Sequence, residues 1–288
     1  MACSRCRSVA RFLAEHCDQY YSYEQDGALI TYDSIVGNMR FTPWGTFRQG
    51  SPGDEAGRES DEDRFPHTLT TGQAVMETEV TRQMWADLRA LEPQMPVDPS
   101  DTAVSPTLEH PVQNVTWYEA VLFANVLSQE HGLPICYFLD ATFTTPVTVS
   151  NYNSGGTVYM KPGVTSYRLP TEGEWESFCR AGRIGIGWAF YAAEWNYKGS
   201  NYNTCTPSPA LYVLDSVAWW CHNAGGQAHI AGQKDLNSWN LRDVHGNVRE
   251  WCWDWYGDYP ASWQTDYAGP SSGTYKVARG GSWNDVAW

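Results

Sequence analysis

The stretch NLRDVHGNVREWCWDWYGDYP, residues 240–260, is the one around which the rest of the chain is organised. His245, Gly246 and Asn247 mark a tight reversal, because glycine and asparagine are the residue types that tolerate a left-handed backbone. Directly after it Trp251, Trp253 and Trp255 recur at every second residue, the period of a β-strand. All three indoles are therefore expected on one face, with Cys252 and Asp254 on the other, and the remaining chain must cover that aromatic face. Asp243 and Glu250 flank the turn, and with the backbone carbonyls between them they can supply the hard oxygen ligands that calcium prefers. The same spacing equally fits a turn aspartate and a glutamate paired with Arg242 or Arg249.

Working outward, 288 residues with a hydrophobic fraction of 42% can bury a sizeable core and exclude a disordered chain. The 15 Trp, 17 Tyr and 9 Phe occur beside 25 Gly and 16 Pro, a combination that predicts an irregular, loop-rich domain held by aromatic packing. A formal charge of -14 with no concentrated Lys and Arg excludes a nucleic-acid partner and an anionic membrane surface. No run reaches the roughly 18 apolar residues of a membrane span, and the opening MACSRCRSVARFLAEHC lacks a signal-peptide core. Either the protein is cytoplasmic or an export signal lies outside this sequence. Eight cysteines are scattered without the paired spacings of a structural zinc site; the isolated Cys3/Cys6 pair is expected to be ordinary, and Cys136, Cys221 and Cys252 read as small packing residues.

In chain order, residues 8–20 place Val9, Phe12, Leu13, Cys17 and Tyr20 at helical spacing, predicting a helical appendage within residues 1–38 ahead of a main domain over 39–288. Residues 28–32 and 39–49 read as strands interrupted at Gly37 and Asn38, and residues 51–66 as an exposed charged loop. A helix capped by Thr81 should turn Trp85, Leu88 and Leu91 to one side and stop at Pro93. Two more carry capping boxes, Thr116 with Glu119 and Thr171 with Glu174, and end near Gly132 and Gly182. Between these two, residues 136–167 read as a long hairpin, and residues 187–239 as largely irregular. Helices first and short strands last is the segregated order of an α+β domain.

Five segments in this order resemble the family of the formylglycine-generating enzyme, the sulfatase-modifying factors. They are WGTFRQGSPGDEAGR, METEVTRQMW, HPVQNVTWYEAVLFANVLS with YRLPTEGEWESFCRAG, NLRDVHGNVREWCWDWY, and VARGGSWN. The resemblance implies a C-type-lectin-like α+β fold, low in regular secondary structure. It also implies a calcium site at Asp243, Gly246, Val248 and Glu250, the two middle residues acting through their carbonyls. Family oxidases hold copper(I) with two cysteines four residues apart, thiolates being the soft ligands copper(I) favours. That pair follows the GGSWN strand, so on this resemblance it falls beyond Trp288 and the sequence is expected to lack its C-terminal end. Cys179 matches a family cysteine that commonly forms a disulfide with one beyond the same strand.

Three functions stay open on this basis. The first is a non-catalytic domain that binds a peptide, sugar or other small ligand through its lectin-like surface. Against it stand a copper-dependent oxidase converting a sulfatase cysteine to formylglycine, and a display protein whose C-terminal surface is varied by a retroelement. Secretion or a periplasmic location is suggested by the resemblance alone. Hydrolase chemistry has no support, since His67 and His110 lack metal-binding spacing and Ser51 and Ser282 sit in no nucleophile elbow.

Overall fold

Three helices start on threonine caps that are written locally in the chain. At Thr81, Thr116 and Thr171 the hydroxyl accepts from the backbone N–H three residues on, and the side chain at that position accepts from the cap's own N–H. The answering groups are the Glu119 and Glu174 carboxylates and, for Thr81, the Met84 thioether. The structure, a computed structural model, describes residues 26–51, 53, 60–181, 205 and 212–286. The expected helix over 8–20 and the Cys3/Cys6 pair lie outside the described residues.

The elements in order are β1 (Leu29–Asp33), β2 (Gly37–Thr42), β3 (Gly45–Gln49), β4 (Phe65–Leu69), β5 (Gln73–Met76), α1 (Arg82–Leu91), α2 (Trp117–Glu130), β6 (Tyr137–Phe138), β7 (Tyr159–Met160), α3 (Glu172–Arg180), α4 (Tyr212–Val217), β8 (Ala218–Trp219), β9 (His245–Gly246), β10 (Glu250–Trp255), β11 (Gln264–Thr265) and β12 (Lys276–Arg279). β2 is the middle strand of an antiparallel sheet with β1 and β5, and β4 lies between antiparallel β3 and parallel β11. β10 pairs antiparallel with β12, its register shifting between Trp251 and Trp255. With few, short elements and small sheets, the fold is a loop-rich α+β domain, as composition predicts.

Several local expectations shift in the folded chain. Gly37 and Asn38 open β2 instead of interrupting a strand, Gly37 standing opposite Asp33 in a tight hairpin at φ 76°. Leu91 is 54% exposed while Trp85 and Leu88 are buried, because steps of three residues drift about 60° per step around a helix. The charged loop is exposed at Gly53 and Ser60 but ends on fully buried Phe65, the first residue of β4. In residues 136–167 the pairing is limited to β6 with β7, two residues each, and a single bridge between Phe138 and Pro146. The Asn125 side chain of α2 replaces a strand there, donating to the Tyr137 and Val147 carbonyls and accepting from the Tyr137 N–H.

β10 divides the interior. Trp251 and Trp253 pack on a core built around α1, α2 and the β6–β7 region, where Trp253 stacks on Tyr137 at 5.2 Å. Cys252 faces a second core with Trp175, Phe178 and Trp239. The alternation matches the sequence pattern, but the face opposite the indoles is the more deeply buried one, with Cys252 and Asp254 sealed from solvent.

Candidate ligand site and the turn beneath it

The turn ahead of β10 is shaped by positive φ angles at Asp243, Gly246 and Asn247. Gly246 passes against β8 so closely that a Cβ would lie 2.2 Å from the Trp219 carbonyl oxygen, and only glycine fits. The group that braces the turn is one the sequence did not single out, Glu79, buried just before α1. Its Oε1 accepts from the Val248 N–H at 2.9 Å and its Oε2 from the Asn247 amide at 2.8 Å. Arg249 pairs with Asp285 and Arg242 reaches Glu77.

Each residue of the expected calcium set has contacts of its own at this turn. Buried Asp243 turns its Oδ2 to the Gly232 N–H at 2.5 Å. Glu250 accepts from the Trp175 indole N–H at 3.1 Å. Gly280 packs against that same indole, and a Cβ there would meet the carbonyl oxygens of Val244 and Val248 at 3.7 and 3.9 Å. Gly246 donates its N–H to the Gly280 carbonyl.

Cys179 is a free, buried thiol 3.6 Å from the Val244 carbonyl and 3.8 Å from the His245 Nε2. Burial pushes its pKa up to about 12 and pushes His245 down to about 4, so both groups are neutral at ordinary pH. Cys252 is likewise buried with its pKa raised well above the usual thiol range. Cys221, read from the sequence as a packing residue, is instead bonded to Cys205 in a disulfide across 16 residues. The pairing could not be deduced from spacing, since eight cysteines allow many connectivities.

Beyond the turn, β12 and the segment that follows β10 line a cavity of about 320 Å³. Glu172, at the start of α3, lines it together with Arg279, Tyr259, Asp61 and Glu62. Tyr256 and Tyr275 stand beside it, 55% and 71% exposed, linked by the hydrogen bond from the Tyr256 N–H to the Tyr275 carbonyl. Arg279 bridges Glu172 at 3.7 Å and Glu176 at 3.2 Å. Burial raises the Glu172 pKa, opposed by Arg279, and burial followed by the nearby Glu172 charge raises that of Asp254. Lys276 points to one side: its Nζ lies 4.2, 4.7 and 3.9 Å from the ring centroids of Trp117, Trp253 and Trp255 and donates to the Trp253 carbonyl. Burial lowers its pKa to about 8.

This architecture has relatives. Residues 33–287 match the model of the sulfatase-modifying factor enzyme 1-like domain, and the chain belongs to that FGE-sulfatase family. It is 30% identical over 223 residues, 71% of this chain and 67% of the relative, to the chaperone protein LppX of Paenibacillus barcinonensis. Over 126 residues it is 31% identical to the formylglycine-generating enzyme of Thermomonospora curvata, covering 40% of this chain and 38% of that enzyme. Among solved structures it is similar to Treponema denticola variable protein 1, with a TM-score of 0.69 and 28% identity across 88% of each chain. No helix among the described residues is long and apolar enough to cross a membrane.

Proposed function

We propose that this domain is a non-catalytic, ligand-binding member of its family, with a peptide, sugar or other small ligand seated over the cavity beside β12. The observation that carries the reading is the pair of exposed rings, Tyr256 and Tyr275, at a cavity lined also by the half-buried Glu172 and Arg279. The described free thiols point the same way. Cys179 and Cys252 are buried with their pKa raised, and a thiol held protonated inside a core is not a copper(I) ligand. The likeness to a variable protein favours a second reading, the display of a variable surface on this same scaffold. A copper-dependent oxidase is the further alternative.

The experiment is a titration of the purified domain with glycan and peptide panels, repeated with Tyr275→Ala. A ligand bound by the native protein and lost in the variant supports the proposal; a ligand indifferent to Tyr275 removes the cavity from it. In parallel, copper and a peptide containing Cys-x-Pro-x-Arg are added and the peptide mass is followed. Copper-dependent conversion to the aldehyde would reverse the non-catalytic assignment.

Calcium enters the same proposal as a structural ion at the turn, held by Asp243, Glu250 and the Gly246 and Val248 carbonyls, the set expected from the resemblance. Added calcium should then raise the melting temperature, an increment absent in Glu250→Gln. A melting temperature indifferent to calcium leaves Glu79 as the turn's brace by itself.

A further inference from the structure

The cavity carries two kinds of charge, and they are not equally engaged. Both cations are committed within the protein: Arg279 to Glu172 and Glu176, and Lys276 to the Trp253 carbonyl and three indole rings. The border carboxylates are not so matched. Asp61 accepts the Tyr256 hydroxyl and Glu62 accepts the Ser51 hydroxyl at 2.7 Å, and neither forms an ion pair with a described residue. Next to them stand Tyr256 and Tyr275, whose π faces attract cations as well as apolar groups.

We propose, building on the ligand-binding reading above, that this cavity takes the cationic end of its ligand, an ammonium or guanidinium group on a short chain. Asp61 and Glu62 supply the countercharge, Tyr256 and Tyr275 the aromatic faces, and Gly257, Val277 and Ala278 the apolar wall for the chain. A volume of about 320 Å³ sits at the small end of the ~300–1,000 Å³ of ligand pockets, the size for a side chain or small amine and not for an extended oligomer. The formal charge of -14 steers such a ligand inward.

The test is calorimetric titration of the full chain with agmatine, spermidine and the tripeptide Gly-Arg-Gly, against methyl glucoside and Gly-Gln-Gly as uncharged controls. Saturable binding of the cations is expected, weakened by added salt and reduced about tenfold by Asp61→Asn with Glu62→Gln and about threefold by Tyr275→Ala. These exchanges are isosteric or remove a largely exposed ring, and an unchanged melting temperature checks the fold. A tripeptide tighter than agmatine assigns the cation to a peptide side chain; equal or tighter agmatine assigns it to a free amine. Cations that fail to saturate, or that bind the variants as well as the native protein, overturn the proposal. If an uncharged ligand instead fills the cavity and is lost in Tyr275→Ala, the ligand-binding reading stands and the cationic assignment falls.

Discussion

His131 Nε2 lies 2.5 Å from Asp33 Oδ2, joining the C-terminal cap of α2 to the end of β1. The His131 Nδ1 lies 2.9 Å from the Leu127 carbonyl of the helix's last turn, and the Tyr167 hydroxyl donates to the same Asp33 oxygen. A protonated imidazole here answers both the helix C-terminus and the carboxylate.

The first prediction is a pH dependence with a defined sign. The hydrogen bond to Asp33 raises the His131 pKa above 6.5, so its stabilisation is complete below that value and lost as pH rises through the raised folded pKa. For Asp33, burial works against ionisation, but hydrogen bonds from His131, Val36, Ile35 and Tyr167 hold the pKa at about 2. Its contribution is present above 3.8 and lost as pH falls through about 2. Denaturant melts across this range should show the pair at its strongest between these limits. His131→Gln should lose the decline on the alkaline side; a variant that keeps it assigns the decline to another group.

Glu79→Gln tests the brace of the turn. The amide keeps the shape but removes the charge and can offer only one acceptor oxygen, so the Val248 N–H or the Asn247 amide loses its partner. A loss of roughly 1.5–3 kcal/mol in unfolding free energy is expected. A loss near zero would show that the turn holds its shape without this carboxylate.

Two glycines separate strain from collision. Gly225 and Gly246 both have positive φ, 63° and 75°, but a Cβ at Gly225 meets nothing within 4 Å while one at Gly246 meets the Trp219 oxygen at 2.2 Å. Gly225→Ala should cost about 1–2 kcal/mol, the backbone penalty by itself. Gly246→Ala adds overpacking of roughly 1–3 kcal/mol or more, read out as lower solubility and an earlier melt. Equal costs would mean that β8 moves aside freely.

Thiol labelling checks the disulfide. In the native, unreduced protein Cys205 and Cys221 should be unreactive, and Cys136, Cys179 and Cys252 should label only on unfolding. Replacing Cys205 by serine should cost ~3 kcal/mol, the chain-entropy value for a loop of this size. Labelling of Cys221 without reductant would remove the bridge.

What could be read from the residues alone is what is decided within a few positions. The capping boxes of α2 and α3, the Thr81 cap and the left-handed turn at Gly246 and Asn247 depend on groups three or four residues apart, and all are present in the folded chain. Alternation along β10 was equally legible, because a strand's period belongs to its own backbone. Which face would be buried more deeply was not, since both faces meet packing partners far away in sequence. The same holds for Glu79, separated from Asn247 by 168 positions, for Cys205 meeting Cys221, and for Arg279 reaching Glu172 beneath two exposed tyrosines. A charge or a thiol acquires its partner only when the chain is closed around it. Local hydrogen-bonding rules therefore determined the helices and the turn, and tertiary packing alone decided which carboxylates, thiols and rings share a site.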